Sequence, residues 1–140
     1  MAALTLLSRK IDIPAGEKNY RVSDKVETPV DVDAIGIIPH AHLLAKEIKA
    51  VATLPDGTKK DLLWIDDWDF NWQGSYSYKD PVRLPKGTSV EMSFRFDNSA
   101  ENANNPNNPP RRVRWGSRRP TRWRFCGCRC CRPTRRTPRS

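Results

Sequence analysis

Residues 89–96 read S-V-E-M-S-F-R-F. Val90, Met92, Phe94 and Phe96 alternate with Glu91, Ser93 and Arg95. Successive side chains of a strand point to opposite faces, so this run gathers its apolar groups on one side and its polar groups on the other. That pattern belongs to an antiparallel strand with one face on a core and one in water. The same reading extends outward. Residues 19–26 (NYRVSDKV), 30–38 (VDVDAIGII), 47–54 (EIKAVATL), 59–65 (KKDLLWI) and 75–84 (SYSYKDPVRL) are short, β-rich runs. Turn signals separate them: Pro55-Asp56-Gly57-Thr58 before the fourth, and Pro85-Lys86-Gly87 before residues 89–96. No strand pattern alternates with a long helical one, which argues against βαβ units. The expected class is all-β, an antiparallel β-sandwich.

The chain has 140 residues, enough for one domain with a hydrophobic core, and its 12 prolines and 7 glycines agree with a turn-rich fold. No apolar run reaches the length of a membrane span. The opening MAALTLLSRK places its charges after its short apolar stretch and shows no small-residue cleavage site, so it does not read as an export signal.

The net charge of +9 is uneven. Residues 117–140 hold nine arginines and no acidic residue; removing them from the chain's 25 basic residues leaves 16, against 16 acidic ones. The body is neutral. Nucleic-acid binding would have to rest on the tail alone.

Three groups of residues carry possible chemistry. The chain's two histidines are His40 and His42, one residue apart. If the extended run of residues 30–38 reaches them, both imidazoles point to one face, about 7 Å apart at the backbone. That suits two ligands of one metal ion, although a catalytic metal usually takes three protein ligands. The alternative is a pair of solvated or hydrogen-bonded imidazoles near a strand end. The second group is residues 64–73, WIDDWDFNWQ. Trp64, Trp68 and Trp72 recur every fourth residue, as on one helix face, and Asp66, Asp67 and Asp69 form an acidic group. The aspartates lack the spacing and glycine of a calcium loop. The plainer reading has tryptophans anchoring an irregular connection with solvated aspartates. The third group is Cys126, Cys128, Cys130 and Cys131 among the arginines, thiols able to take Zn²⁺ or Cu(I) but not at zinc-finger spacing.

The segments PHAHLLAK, LPDGTKK, WIDDWDFNWQ, YSYKDPVRLPKGT, DNSAENANNPNNPP and VRWG occur in this order between about Ile11 and Gly116. In that order they resemble the C-terminal catalytic domain of bacterial copper type II, ascorbate-dependent monooxygenases, relatives of peptidylglycine α-hydroxylating and dopamine β-monooxygenases. The resemblance implies a jelly-roll-like form of the sandwich and an oxidoreductase activity. It implies that His40 and His42 ligate the copper at which O2 is bound and a substrate C–H bond is hydroxylated. It further implies ascorbate as electron donor and, as partner, a second copper-binding domain supplied by another segment or chain. Such proteins are typically exported or periplasmic. The organisation expected is an N-terminal extension over 1–10, the β-sandwich over 11–116 and a disordered Arg/Cys/Pro-rich tail over 117–140. A β-sandwich that binds copper or a protein without turnover is the competing expectation from a different functional class.

The resemblance breaks after Trp115-Gly116. Relatives carry a methionine ligand there, in a segment like T-T-D-E-M; this chain continues SRRPTRWRF, and Met92 matches no ligand motif. The bases that encode Ser117 to Arg124 can, in a shifted frame, spell T-T-D-E-M-A, with the methionine drawn from the codons of Arg122 and Trp123. Two readings of the tail stay open: an off-frame stretch of GC-rich coding sequence, or a genuine basic, cysteine-rich tail. On either, the sandwich is expected to be incomplete at its C-terminus, its copper site left with two histidines and its hydroxylating activity impaired.

Overall fold

The structure, a computed structural model, describes residues 10–114 and the backbone of residues 131–133. It is all-β, with antiparallel sheets and no closed barrel. The strands are β1 (Asp12–Ile13), β2 (Tyr20–Glu27), β3 (Val32–Ile37), β4 (Ala45–Thr53), β5 (Lys59–Ile65), β6 (Tyr76–Leu84), β7 (Ser89–Phe96), β8 (Val113–Arg114) and β9 (Cys131–Pro133). They form a four-stranded sheet in the order β2-β7-β4-β5, a three-stranded sheet β6-β3-β9 and the pair β1-β8.

The alternation in residues 89–96 does what its period demands. Val90, Met92, Phe94 and Phe96 are buried, and β7 lies between β2 and β4. On β4 their cross-strand partners are Ala52, Ala50, Ile48 and Ala45. Three of the four partners are alanines, so small side chains stand opposite large ones except where Ile48 meets Phe94. Each large apolar group so buried contributes about 1.5–3 kcal/mol. Val32, Ala34 and Ile37 of β3 and Leu84 of β6 join the same cluster, so the two larger sheets share one core.

Glycine decides one feature that matters for the site. The β3–β6 ladder shifts register between Ala34 and Gly36: Ala34 faces Val82, whereas Gly36 faces Ser77 and Ile37 faces Tyr76. A Cβ on Gly36 would lie 2.5 Å from the Tyr76 carbonyl oxygen, so only glycine lets the strands approach this closely after the bulge.

The Asn- and Pro-rich segment from Asp97 to Arg112 is an ordered loop, and it leads into a strand at Val113, as its sequence allows. Side chains replace the missing ladder. Fully buried Asn98 donates from Nδ2 to the carbonyls of Pro14 (3.0 Å) and Arg111 (2.7 Å), while its Oδ1 accepts from Asn105 (3.1 Å). Asn102 donates to the Asp97 carbonyl at 2.7 Å. At the β1–β8 pair, Arg112 grips the Asp12 carboxylate at 2.6 and 2.7 Å and Arg114 adds a contact at 3.3 Å. The Arg112 hydrogen bond, with Arg114 behind it, holds the Asp12 carboxyl down to about 2.

Three expectations change or fall elsewhere. The strand expected to reach the histidines ends at Ile37. Pro39 follows, and a proline has no N–H to give a sheet ladder. The every-fourth-residue tryptophans do not share a helix face: Trp64 is exposed on β5, Trp68 is buried, and Trp72 is 80% exposed in an irregular connection. The tail expected to be disordered over 117–140, with its cysteines, lies outside the described residues except at Cys131–Pro133. The backbone there pairs with Val32, Asp33 and Ala34 of β3. Residues 1–9 and the Trp115-Gly116 junction also lie outside them. Among the described residues no helix is long and apolar enough to cross a membrane.

Candidate metal centre

The two histidines sit in the connection between β3 and β4. Pro39 and Ala41 are both buried, while His40 and His42 are only partly covered. The in-out alternation of the strand therefore survives for a few residues after the ladder has ended. The small and cyclic side chains sink into the core, and both imidazoles are left on the other side. The connection closes where the Ala45 N–H donates to the His42 carbonyl at 3.0 Å, starting β4.

The rings lie side by side, with centroids 5.1 Å apart and planes at 77°. A metal–nitrogen bond of about 2 Å puts each ring centroid roughly 3 Å from the ion, so two imidazoles at a tetrahedral angle have centroids about 5 Å apart. The observed separation fits a shared ion. Imidazole suits copper, zinc, iron and nickel alike, so the pair fits copper without selecting it.

The second sequence candidate turns out to be the wall of the first. Trp68 is 3% exposed, and its backbone N–H donates to the Lys46 carbonyl at 3.0 Å, pinning the connection after β5 beside the start of β4. A turn follows. The Asn71 N–H donates to the Asp69 carboxylate at 2.8 Å, and the Trp72 N–H donates to the Asp69 carbonyl at 3.0 Å. This turn lays Phe70 against His42, with centroids 5.9 Å apart and planes at 28°. It also hydrogen-bonds Gln73 Oε1 to His40 Nδ1. The last ladder pair is Ile37 with Tyr76; three residues beyond it on each chain stand His40 and Gln73, which meet through their side chains.

Asp66, Asp67 and Asp69 are exposed and do not converge on the histidines. Among the described residues no group of three or more His, Cys, Asp or Glu side chains is placed to hold an ion. Met92 lies buried in β7, opposite Ala50. The quoted stretch WIDDWDFNWQ contained Phe70 and Gln73 without marking them. A glutamine or phenylalanine in a connection carries no periodic signal, and the tryptophans and aspartates around them drew the chemical reading.

Burial, and then the neighbouring His40, lowers the His42 pKa from 6.5 to about 4. The ring is therefore neutral near pH 7 and keeps a lone pair. Between these two values the unfolded chain binds a proton at His42 that the folded chain refuses. Stability contributed by this group is full above about pH 6.5 and is lost as pH falls towards 4. The thermal midpoint of the metal-free protein is expected to fall across that window, and to fall less in His42→Asn. An equally steep profile in the variant assigns the acid sensitivity to other groups.

No protein-family model matches this chain, and no curated protein matches it.

Proposed function

We propose that residues 11–116 form a copper-binding domain of the copper type II, ascorbate-dependent monooxygenase kind, with a jelly-roll-like β-sandwich as scaffold and His40 and His42 as copper ligands. The observation that carries this is the pair of imidazoles at 5.1 Å, one of them neutral by burial, walled by the segment 64–73 that the resemblance also includes. Copper held there would supply O2-dependent hydroxylation of a substrate C–H bond, with electrons from ascorbate delivered through a second copper-binding domain. The chain's own residues bind the ion through the two rings, shield His42 with Phe70 and hold the ring of His40 with Gln73.

A second reading is copper binding without turnover. It is favoured by the donor set, which among the described residues offers no third His, Cys, Asp or Glu. Two measurements separate the possibilities. The chain is expected to take up one equivalent of Cu(II) whose electron paramagnetic spectrum shows coupling to two imidazole nitrogens; a spectrum without such coupling removes both readings. Ascorbate-dependent oxygen consumption, measured with a second copper domain supplied, then decides for the monooxygenase if it depends on His40 and His42, and for the binding module if it is absent.

A further inference from the structure

We infer that Gln73 is a positioning residue for the metal centre: it holds His40 in the tautomer protonated at Nδ1, so that Nε2 is the nitrogen this ring offers to an ion. The inference rests on the copper reading only for what the ion is, and the tautomer itself is a property of the metal-free chain.

A glutamine side chain has an oxygen that accepts and an NH2 that donates, and which atom points where is set by its neighbours. Gln73 Nε2 lies 2.9 Å from the Phe70 carbonyl oxygen, an atom that can only accept. The NH2 must face Phe70, since the reverse orientation would set two oxygens against each other. That leaves Oε1 towards His40 Nδ1. An acceptor at that place requires a proton on Nδ1. A neutral imidazole has one ring proton, so with Nδ1 protonated its lone pair is on Nε2. A free imidazole side chain in water favours the opposite tautomer, and Gln73 therefore does something the ring would not do unaided.

The same turn also restrains the other ring. Phe70, whose carbonyl orients the Gln73 amide, stacks its ring on His42 at 5.9 Å. One short segment, Asp69 to Gln73, thus restrains one histidine through a hydrogen bond and the other through packing. Outer partners of this kind fix ring orientation and commonly change metal affinity about 10–100-fold when lost. The link spans 33 residues of sequence and depends on the register that follows the Gly36 bulge.

The test uses the whole chain and two variants. Gln73→Met keeps the length of the side chain but has no acceptor for Nδ1–H. Gln73→Glu keeps an acceptor oxygen for Nδ1–H but gives up the donor to the Phe70 carbonyl, so its second oxygen turns to solvent. Nitrogen-15 NMR of the metal-free proteins at pH 7.5 is expected to show His40 protonated at Nδ1 in the natural chain and in Gln73→Glu, and shifted towards Nε2–H in Gln73→Met. Copper affinity is expected to fall about 10–100-fold in Gln73→Met and to be largely kept in Gln73→Glu. A purely structural role would lower the thermal midpoint without moving the tautomer. An Nε2–H ring in the natural chain, an unchanged tautomer in Gln73→Met, or an unchanged affinity in that variant each overturns the inference. Failure of the natural chain to bind copper at all instead sinks the proposed function, and the NMR comparison still decides on Gln73.

Discussion

Changing His40 or His42 to Ala is expected to weaken copper binding by more than about 100-fold, since loss of an outer partner alone already costs about 10–100-fold and these rings are the donors themselves. The double variant should bind no stoichiometric copper. The fold should survive. His40 is partly covered, and losing its ring with the hydrogen bond to Gln73 should cost about 0.5–1.5 kcal/mol. His42 stacks on Phe70 at 5.9 Å, and such aromatic pairs contribute about 0.5–1.5 kcal/mol, so His42→Ala should cost about 1 kcal/mol. Competition titrations with a Cu(I) chelator and thermal melts on the same samples separate the two effects. Stoichiometric binding retained in the double variant would refute the assignment. Weakened binding with a collapsed midpoint would show instead that the histidines are structural.

The largest effect on stability is expected at Trp68. Its indole is 3% exposed at the root of the segment that carries Phe70 and Gln73. Truncating a buried tryptophan to alanine costs about 3–5 kcal/mol through lost burial and the cavity left behind. Against a total stability of about 5–15 kcal/mol, that is a large share. Trp68→Phe should cost much less. The indole Nε1 is buried with no hydrogen-bond partner among the described residues, and a buried donor of that kind carries a penalty of about 1–3 kcal/mol that phenylalanine does not. Denaturant midpoints of the two variants make the comparison. A Trp68→Ala change below about 1 kcal/mol would mean that the connection is not anchored where its burial places it. The alanine variant should also lose the contact of Phe70 with His42, visible as a shift of the His42 ring protons, because the pinned segment is what brings the two together.

The strands were legible because their physics is local. Period-two burial in residues 89–96, β-branched runs near Val32 and the Pro-Asp-Gly turn at Gly57 each state their structure within a few residues. The adjacency of His40 and His42 was legible for the same reason: two residues apart in extended chain share a side, and Pro39 and Ala41 kept that alternation after the ladder had ended. The end of the strand at Ile37 was hinted by Pro39 and was decided by where β6 stops pairing.

Local pattern was therefore enough for the six longer strands, β2 to β7, for the inward face of residues 89–96 and for a neighbouring pair of imidazoles, but not for the short strands β1, β8 and β9. Tertiary structure alone decided that the connection after β5 is the other half of the site. That depends on a hairpin bringing residues 33 apart together, and on one bulge beside Gly36. The alternation of a strand states its own two faces and does not name the residue of the neighbouring strand that it meets. At Gly36 the missing Cβ leaves room for the Tyr76 carbonyl, 2.5 Å from where that atom would be, and the ladder after the bulge runs through this close approach.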